Sequence, residues 1–171
     1  AFDWTYIEVL IERSRLAEAA ELPLAGLLAL EALRIAAWRP RFSTEVDEKT
    51  IPHELDLLRS AVHLTKGCYR GQETVAKVHN LGHPPRRLVM LHLDGSESVL
   101  PVSGDEVHLE GKVVGRVTSA ARHYELGPVA LAVVKRMTDQ GAVLTIPVGG
   151  ATVTAAQETI VPQTAGAVAG V

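Results

Sequence analysis

The sequence contains one cysteine, Cys68, in 171 residues. A single thiol excludes an internal disulfide, a cysteine-based zinc site and a self-contained iron–sulfur cluster, each of which draws on several thiolates. Basic residues are not in excess: 17 Lys and Arg face 20 Asp and Glu, for a net charge of −3. That balance argues against a protein that coats nucleic acid or adheres to a membrane surface. No apolar run approaches the ~20 residues of a membrane span, and no signal peptide opens the chain. Also missing are a Gly-x-Gly-x-x-Gly fingerprint, a Walker loop, a Gly-x-Ser-x-Gly elbow and a His-Glu-x-x-His helix. Without them nothing reads as a dinucleotide enzyme, kinase, serine hydrolase or zinc protease. The chain begins Ala1-Phe2-Asp3, without an initiator Met and directly in strand-like sequence. It is therefore expected to be the C-terminal part of something longer.

Hydrophobic residues make up 47% of the chain and charged residues 22%, a soluble globular composition. Its texture changes twice. Residues 6–11, Tyr-Ile-Glu-Val-Leu-Ile, are short and rich in β-branched side chains, which predicts a strand. Ser14 is placed to cap a short helix running to Ala20, and Pro23 suits the first turn of a second. Residues 24–38 consist almost throughout of good helix formers and are apolar nearly all round, which predicts a buried helix ended by Pro40. From 41 to 85 the periodicity fades into a segment rich in glycine, proline and charge, where a site is sought first. From 86 to 161 the pattern is β. It includes a hairpin turning at Glu110-Gly111, and a strand in which Val129, Leu131 and Val133 form a bulky face opposite Ala130, Ala132 and Val134. Several short strands divided by turn signals predict a small closed barrel or sandwich. The Gly/Ala-rich residues 163–171 read as a frayed tail.

The densest chemical constellation is Lys66-Gly67-Cys68-Tyr69-Arg70-Gly71-Gln72-Glu73. Two glycines permit a sharp bend close to a ligand. Flanking positive charge favours the nucleophilic thiolate form of a cysteine. A buried, inert cysteine in an ordinary turn is the plainer reading of the same residues. Glu31 and Arg34 share a helix face three residues apart, as an ion pair or as a ligand contact. Glu8 interrupts an apolar strand, where alternation places it on a solvated face. His79 and His83 have the helical metal spacing, but Gly82 and Pro84 oppose a helix there, so no metal is assigned.

The octet from Lys66 to Glu73 resembles the Lys-Gly-Cys-Tyr-x-Gly-Gln-Glu signature of the YgfZ family, folate-binding relatives of the glycine-cleavage T-protein, an aminomethyltransferase. The likeness runs from about residue 8 to 162. It includes Glu31-Ala32-Leu33-Arg34, Asp47-Glu48-Lys49-Thr50-Ile51-Pro52-His53-Glu54, Arg86-Arg87-Leu88-Val89 and Gly115-Arg116-Val117-Thr118-Ser119. It implies an α+β fold, in which part of a ferredoxin-like, folate-binding body (residues 1–85, with the signature loop) precedes a small antiparallel Greek-key β-barrel (86–162) and a flexible tail (163–171). It implies tetrahydrofolate or a one-carbon derivative as cofactor, with Glu8 and Arg34 as folate contacts. Cys68 becomes a redox or transfer thiol with Lys66 beside it, on the loop of Gly67, Tyr69, Arg70, Gly71, Gln72 and Glu73. The role implied is accessory and cytoplasmic, in iron–sulfur cluster assembly or repair and the tRNA modification that depends on it. The partners implied are iron–sulfur enzymes or assembly proteins, with no direct nucleic acid and no membrane. Two other readings compete: an aminomethyltransferase passing a one-carbon unit to tetrahydrofolate, and a non-catalytic docking module. The octet's cysteine, absent from aminomethyltransferases, favours the YgfZ-like reading over the aminomethyltransferase. One departure stands out: Trp38 occupies a position where both families commonly have Gly.

Overall fold

A computed structural model describes residues 5–19, 21–96 and 98–168. In chain order the elements are a 3-10 turn (Arg13–Arg15), α1 (Leu16–Ala19), α2 (Leu27–Ala36), α3 (Phe42–Glu45), a second 3-10 turn (Pro52–Leu55) and α4 (Gln72–Leu81). Six strands follow: β1 (Arg86–Leu93), β2 (Glu106–Leu109), β3 (Lys112–His123), β4 (Gly127–Lys135), β5 (Leu144–Val148) and β6 (Ala151–Thr159). The strands are antiparallel throughout and close into a barrel in the order β1-β4-β3-β2-β5-β6. β2, β3 and β4 form a meander and β1 returns beside β4, the Greek-key arrangement that the family resemblance implies.

Side-chain alternation fixes the inside of the barrel. Val89, Leu91 and Leu93 of β1 meet Ala130, Ala132 and Val134 of β4, together with Val107, Val117, Leu144, Ile146, Val153 and Ala155. The smaller face of β4 therefore fills the narrow interior. Its bulky face, Val129, Leu131 and Val133, turns outward with Leu88 and Met90 against Ala32 and Ile35 of α2 and Leu55. β1 and β4 are buried on both faces, which is why residues 88–91 of β1 are apolar without alternation. At the predicted hairpin Glu110 (φ 51°) and Gly111 (φ 75°) are both left-handed, as a type I′ turn requires.

The N-terminal region departs from its sequence reading. Residues 6–11 form no strand, and Ile7, Val9 and Leu10 are exposed. β propensity describes a fit to a neighbouring strand, and none lies beside this segment among the described residues. The first helix is only α1, preceded by the 3-10 turn. Ser14 bonds to the Glu12 carboxylate instead of capping it, and Ala20 lies outside the described residues. α2 starts after Gly26 rather than at Pro23, and only its second half is buried: Leu27 and Leu28 remain 82% and 83% exposed. It ends in a Schellman motif, with Trp38 N–H donating to the Ile35 carbonyl and Arg39 N–H to the Arg34 carbonyl. Trp38 holds the left-handed position (φ 58°), a conformation that glycine adopts without strain.

Within residues 41–85, α3 and α4 and a 3-10 turn replace the expected loop. Nor is the tail frayed as far as residue 168. Ala167 N–H donates to the Val78 carbonyl, and the His83 ring bonds to the Ala165 carbonyl. Gly166 (φ 91°) lies so close to the end of α4 that a Cβ there would fall 2.2 Å from the Gly82 carbonyl oxygen. Residues 169–171 lie outside the described set.

Candidate functional site

Two charge networks fasten the helical region to the barrel. In the first, Arg34 on α2 uses all five N–H donors. Nε and Nη2 donate to the two carboxylate oxygens of Glu31, and Nη1 to the Arg39 carbonyl (2.5 Å) and Glu45 Oε2 (3.3 Å). Nη2 also donates to Ser119 Oγ on β3 (2.7 Å). Glu45, on α3 and fully buried, also accepts from Ser119 Oγ (2.5 Å), Thr44 Oγ1 (2.8 Å) and Arg41 N–H (2.6 Å). Arg34 bonding holds the Glu31 carboxyl below its ordinary range. Arg41 approaches the outer side of Glu31 at 3.1 Å.

In front of this network lies a cleft of about 530 Å³, lined by Tyr6, Leu30, Glu31, Arg34, Arg39, Pro40 and Arg41. Tyr6 Oη donates to Glu8 at 3.3 Å, which links exposed Glu8 to the rim of the same cleft. Glu8 and Arg34, far apart in sequence, are thus brought to one neighbourhood. Their settings differ: Glu8 is exposed, whereas the Arg34 guanidinium is occupied by protein acceptors. The cleft offers an aromatic wall in Tyr6, acceptors in Glu31 and exposed cations in Arg39 and Arg41.

The second network centres on Arg86 at the start of β1. It bridges Asp47 (2.6 Å) and fully buried Glu54 (2.8 Å), and Arg116 adds a contact to Asp47 at 3.4 Å. Hydrogen bonding to Arg86 pulls the Asp47 carboxyl well below the usual carboxylate range, and the same partners raise the arginine. The segment from Asp47 to Glu54 is therefore clamped to the barrel.

Beyond the clamp comes the signature loop. Lys66, Gly67, Cys68 and Arg70 are exposed, Tyr69 is half-buried, and Lys66 Nζ sits 5.1 Å from the centre of the Tyr69 ring. Gly71 (φ 85°) is left-handed and starts α4, of which Gln72 and Glu73 form the first turn. Gly67 is not left-handed, so only one of the two glycines uses its special freedom. Tyr69, Arg70 and Gly71 line a groove of about 570 Å³ together with Thr50, Ile51, Pro52, Thr74 and Val75. The exposed Cys68 stands beside this groove, not in the arginine cleft. His79 lies on α4, which stops before His83, and among the described residues no three His, Cys, Asp or Glu side chains cluster as a metal site.

Sequence reasoning missed several of the polar anchors. Glu45 and Ser119 carry no motif of their own. Arg87, fully buried at one end of the barrel, donates to the carbonyls of Arg136 and Thr138 and to Gln157, and burial pushes its guanidinium down. The available signal was a charge inside an apolar strand run, which demands internal acceptors.

Residues 86–161 match the family described as the glycine cleavage T-protein C-terminal barrel domain. The chain is 34% identical over 125 residues to a putative chloroplastic transferase of Arabidopsis thaliana, covering 70% of this chain and 27% of that protein. It is 35% identical over 120 residues to an aminomethyltransferase of Streptomyces coelicolor, covering 68% and 32%. An uncharacterized protein of Haemophilus influenzae is 31% identical over 121 residues, covering 67% and 43%. The chain thus spans about a quarter to two fifths of the length of these relatives. Among solved structures, the aminomethyltransferase T of the Bartonella henselae glycine cleavage system superposes with a TM-score of 0.66 at 22% identity, over 89% of this chain and 44% of that one. Among the described residues no helix is long and apolar enough to cross a membrane. By its barrel, and by alignments that extend into the segment before it, the chain is similar to the glycine-cleavage T-protein superfamily.

Proposed function

We propose that this chain is the later part of a tetrahydrofolate-binding, YgfZ-like protein of the cytoplasm. Its role is to support iron–sulfur cluster assembly or repair, and through that tRNA modification, with Cys68 as its reactive thiol. The observation that carries this reading is the exposed Cys68 in its Gly-flanked octet, beside an open groove, on a T-protein barrel. A buried cysteine would have favoured the inert alternative.

The donor set fits folate in part. A pterin presents adjacent N–H donors that a carboxylate accepts, and its ring stacks on an aromatic face. Glu31 and Tyr6 supply these groups in the arginine cleft, with Glu8 bonded to Tyr6 at its rim. The anionic tail of folate suits Arg39 or Arg41, which remain exposed. Arg34, with every donor engaged, holds Glu31 in place rather than meeting the ligand. Bound folate would supply a one-carbon carrier; these side chains would bind and orient it.

The cleft is one wall of a site. Residues 1–85 are read as the closing part of a folate-binding body and 86–162 as its barrel. The large exposed apolar side chains between Ile7 and Leu28 are the surface on which the remainder of that body packs. An aminomethyltransferase remains the second reading, favoured by the names of two of the relatives.

Replacing Cys68 with alanine in the protein as the cell makes it is expected to lower the activity of iron–sulfur-dependent enzymes in cells severalfold, without changing the protein's abundance. Unchanged enzyme activity would remove Cys68 from the mechanism.

A further inference from the structure

His53 is 2% exposed, and neither of its ring nitrogens has a hydrogen-bond partner. The nearest ring is His79 on α4, with centroids 6.1 Å apart and planes inclined at 40°, and the buried Nδ1 of His79 is likewise unpartnered. Two imidazoles thus meet where α4 packs on the Pro52–Leu55 turn, and the buried His53 ring is tolerable there only while neutral, since a buried charge needs a partner.

We propose that His53 and His79 form a proton-sensitive latch holding α4, and with it the Cys68 loop that leads into α4, against the barrel-anchored Pro52–Leu55 turn. The turn itself is fixed: Leu55 is in the core and Glu54 is bonded to Arg86. α4 is tied more lightly, through Val75 and the tail contacts of Val78 and Gly82. Protonating buried His53 places an uncompensated charge against the α4 contact, so the lighter partner moves.

The surrounding charges leave the rings without a counter-ion. On the same turn the only carboxylate is Glu54, taken by Arg86. β1 brings Arg86 itself, already shared between Asp47 and Glu54, and Arg87, turned to the end of the barrel. α4 brings Glu73 and Lys77, both exposed. The adjoining Asp56 pairs with Arg59, and the tail residues from Ala165 to Ala167 are uncharged. Burial, and then the neighbouring His79, push the His53 imidazole below its ordinary 6.5. A depressed histidine favours the closed form above its unfolded value, and that preference is lost as pH falls from there toward the folded value. Asp47 acts in a separate window: its depressed carboxyl keeps the Arg86 clamp ionised until far more acidic pH.

Hydrogen exchange of the chain between pH 8 and pH 5, corrected for intrinsic rates, tests the latch. Protection of the α4 amides from Val75 to Leu81 is expected to fall with pH below about 6.5, by up to tenfold per unit for each proton taken up, while β4 amides hold constant. His53→Phe is expected to flatten the α4 response. Constant α4 protection in the wild type, or an undiminished slope in His53→Phe, overturns the proposal. Should that variant not fold, NMR titration of the wild-type His53 ring decides: a midpoint below 6.5 that coincides with α4 opening supports the latch, and an ordinary midpoint without opening refutes it. None of these outcomes depends on folate or on Cys68 chemistry.

Discussion

Arg34→Ala is expected to destabilise the chain by about 3 to 5 kcal/mol, measured by urea unfolding. The magnitude follows from what is left behind. The Arg34 side chain is 10% exposed and Glu45 is fully buried, so truncation abandons a carboxylate inside protein with only hydroxyl and amide donors. The carbonyl of Arg39 loses its donor as well. Adding Glu45→Gln to Arg34→Ala is expected to recover part of the loss, because it removes the uncompensated charge. A cost under about 1 kcal/mol for Arg34→Ala would mean that the network is solvated and that α2 is held by its apolar contacts alone.

Gly115→Ala is expected to cost at least about 3 kcal/mol and to disturb the barrel itself. Gly115 sits in β3 between Val107 of β2 and Val134 of β4. A Cβ there would lie 2.4 Å from the Val133 carbonyl oxygen and 2.8 Å from the Val134 Cα. Both are backbone atoms of a strand in a closed ring, which cannot yield without breaking the ladder. Gly67→Ala is the control: nothing lies within 4 Å of its Cβ, its φ is not left-handed, and its stability should change by less than about 0.5 kcal/mol. Equal effects at the two positions would contradict the close β3–β4 approach.

The β region was legible because its signals are local and mutually consistent. The I′ turn at Glu110-Gly111 and the bulky and small faces of β4 each follow from period-two alternation and left-handed turn residues. Residues 6–11 carry the same kind of signal and form no strand, since a ladder needs a second strand and none pairs with them among the described residues. α4 was missed for the opposite reason. Its Thr, Val, His and Asn residues have modest helix propensity, and two glycines bracket it; its position depends on the Pro52–Leu55 turn and the tail. At the candidate site, the octet announced Cys68, and the charge inside α2 announced that Arg34 needed partners. Which partners was a matter of tertiary structure: Ser119 lies 85 residues from Arg34 in sequence, and no spacing rule reaches that far.

The exposed apolar stretch and the one-sided cleft lead to the same expectation about ligand. Titration of tetrahydrofolate, followed calorimetrically, is the most direct test. Saturable binding is expected when the chain is joined to a preceding T-protein-like body, with weak or undetectable binding by these 171 residues alone. Tight binding by the 171 residues would show that the cleft of Tyr6, Glu31 and Arg41 is a whole site and not one wall. No detectable binding by the joined protein would contradict the folate-binding reading and leave the barrel as a docking module.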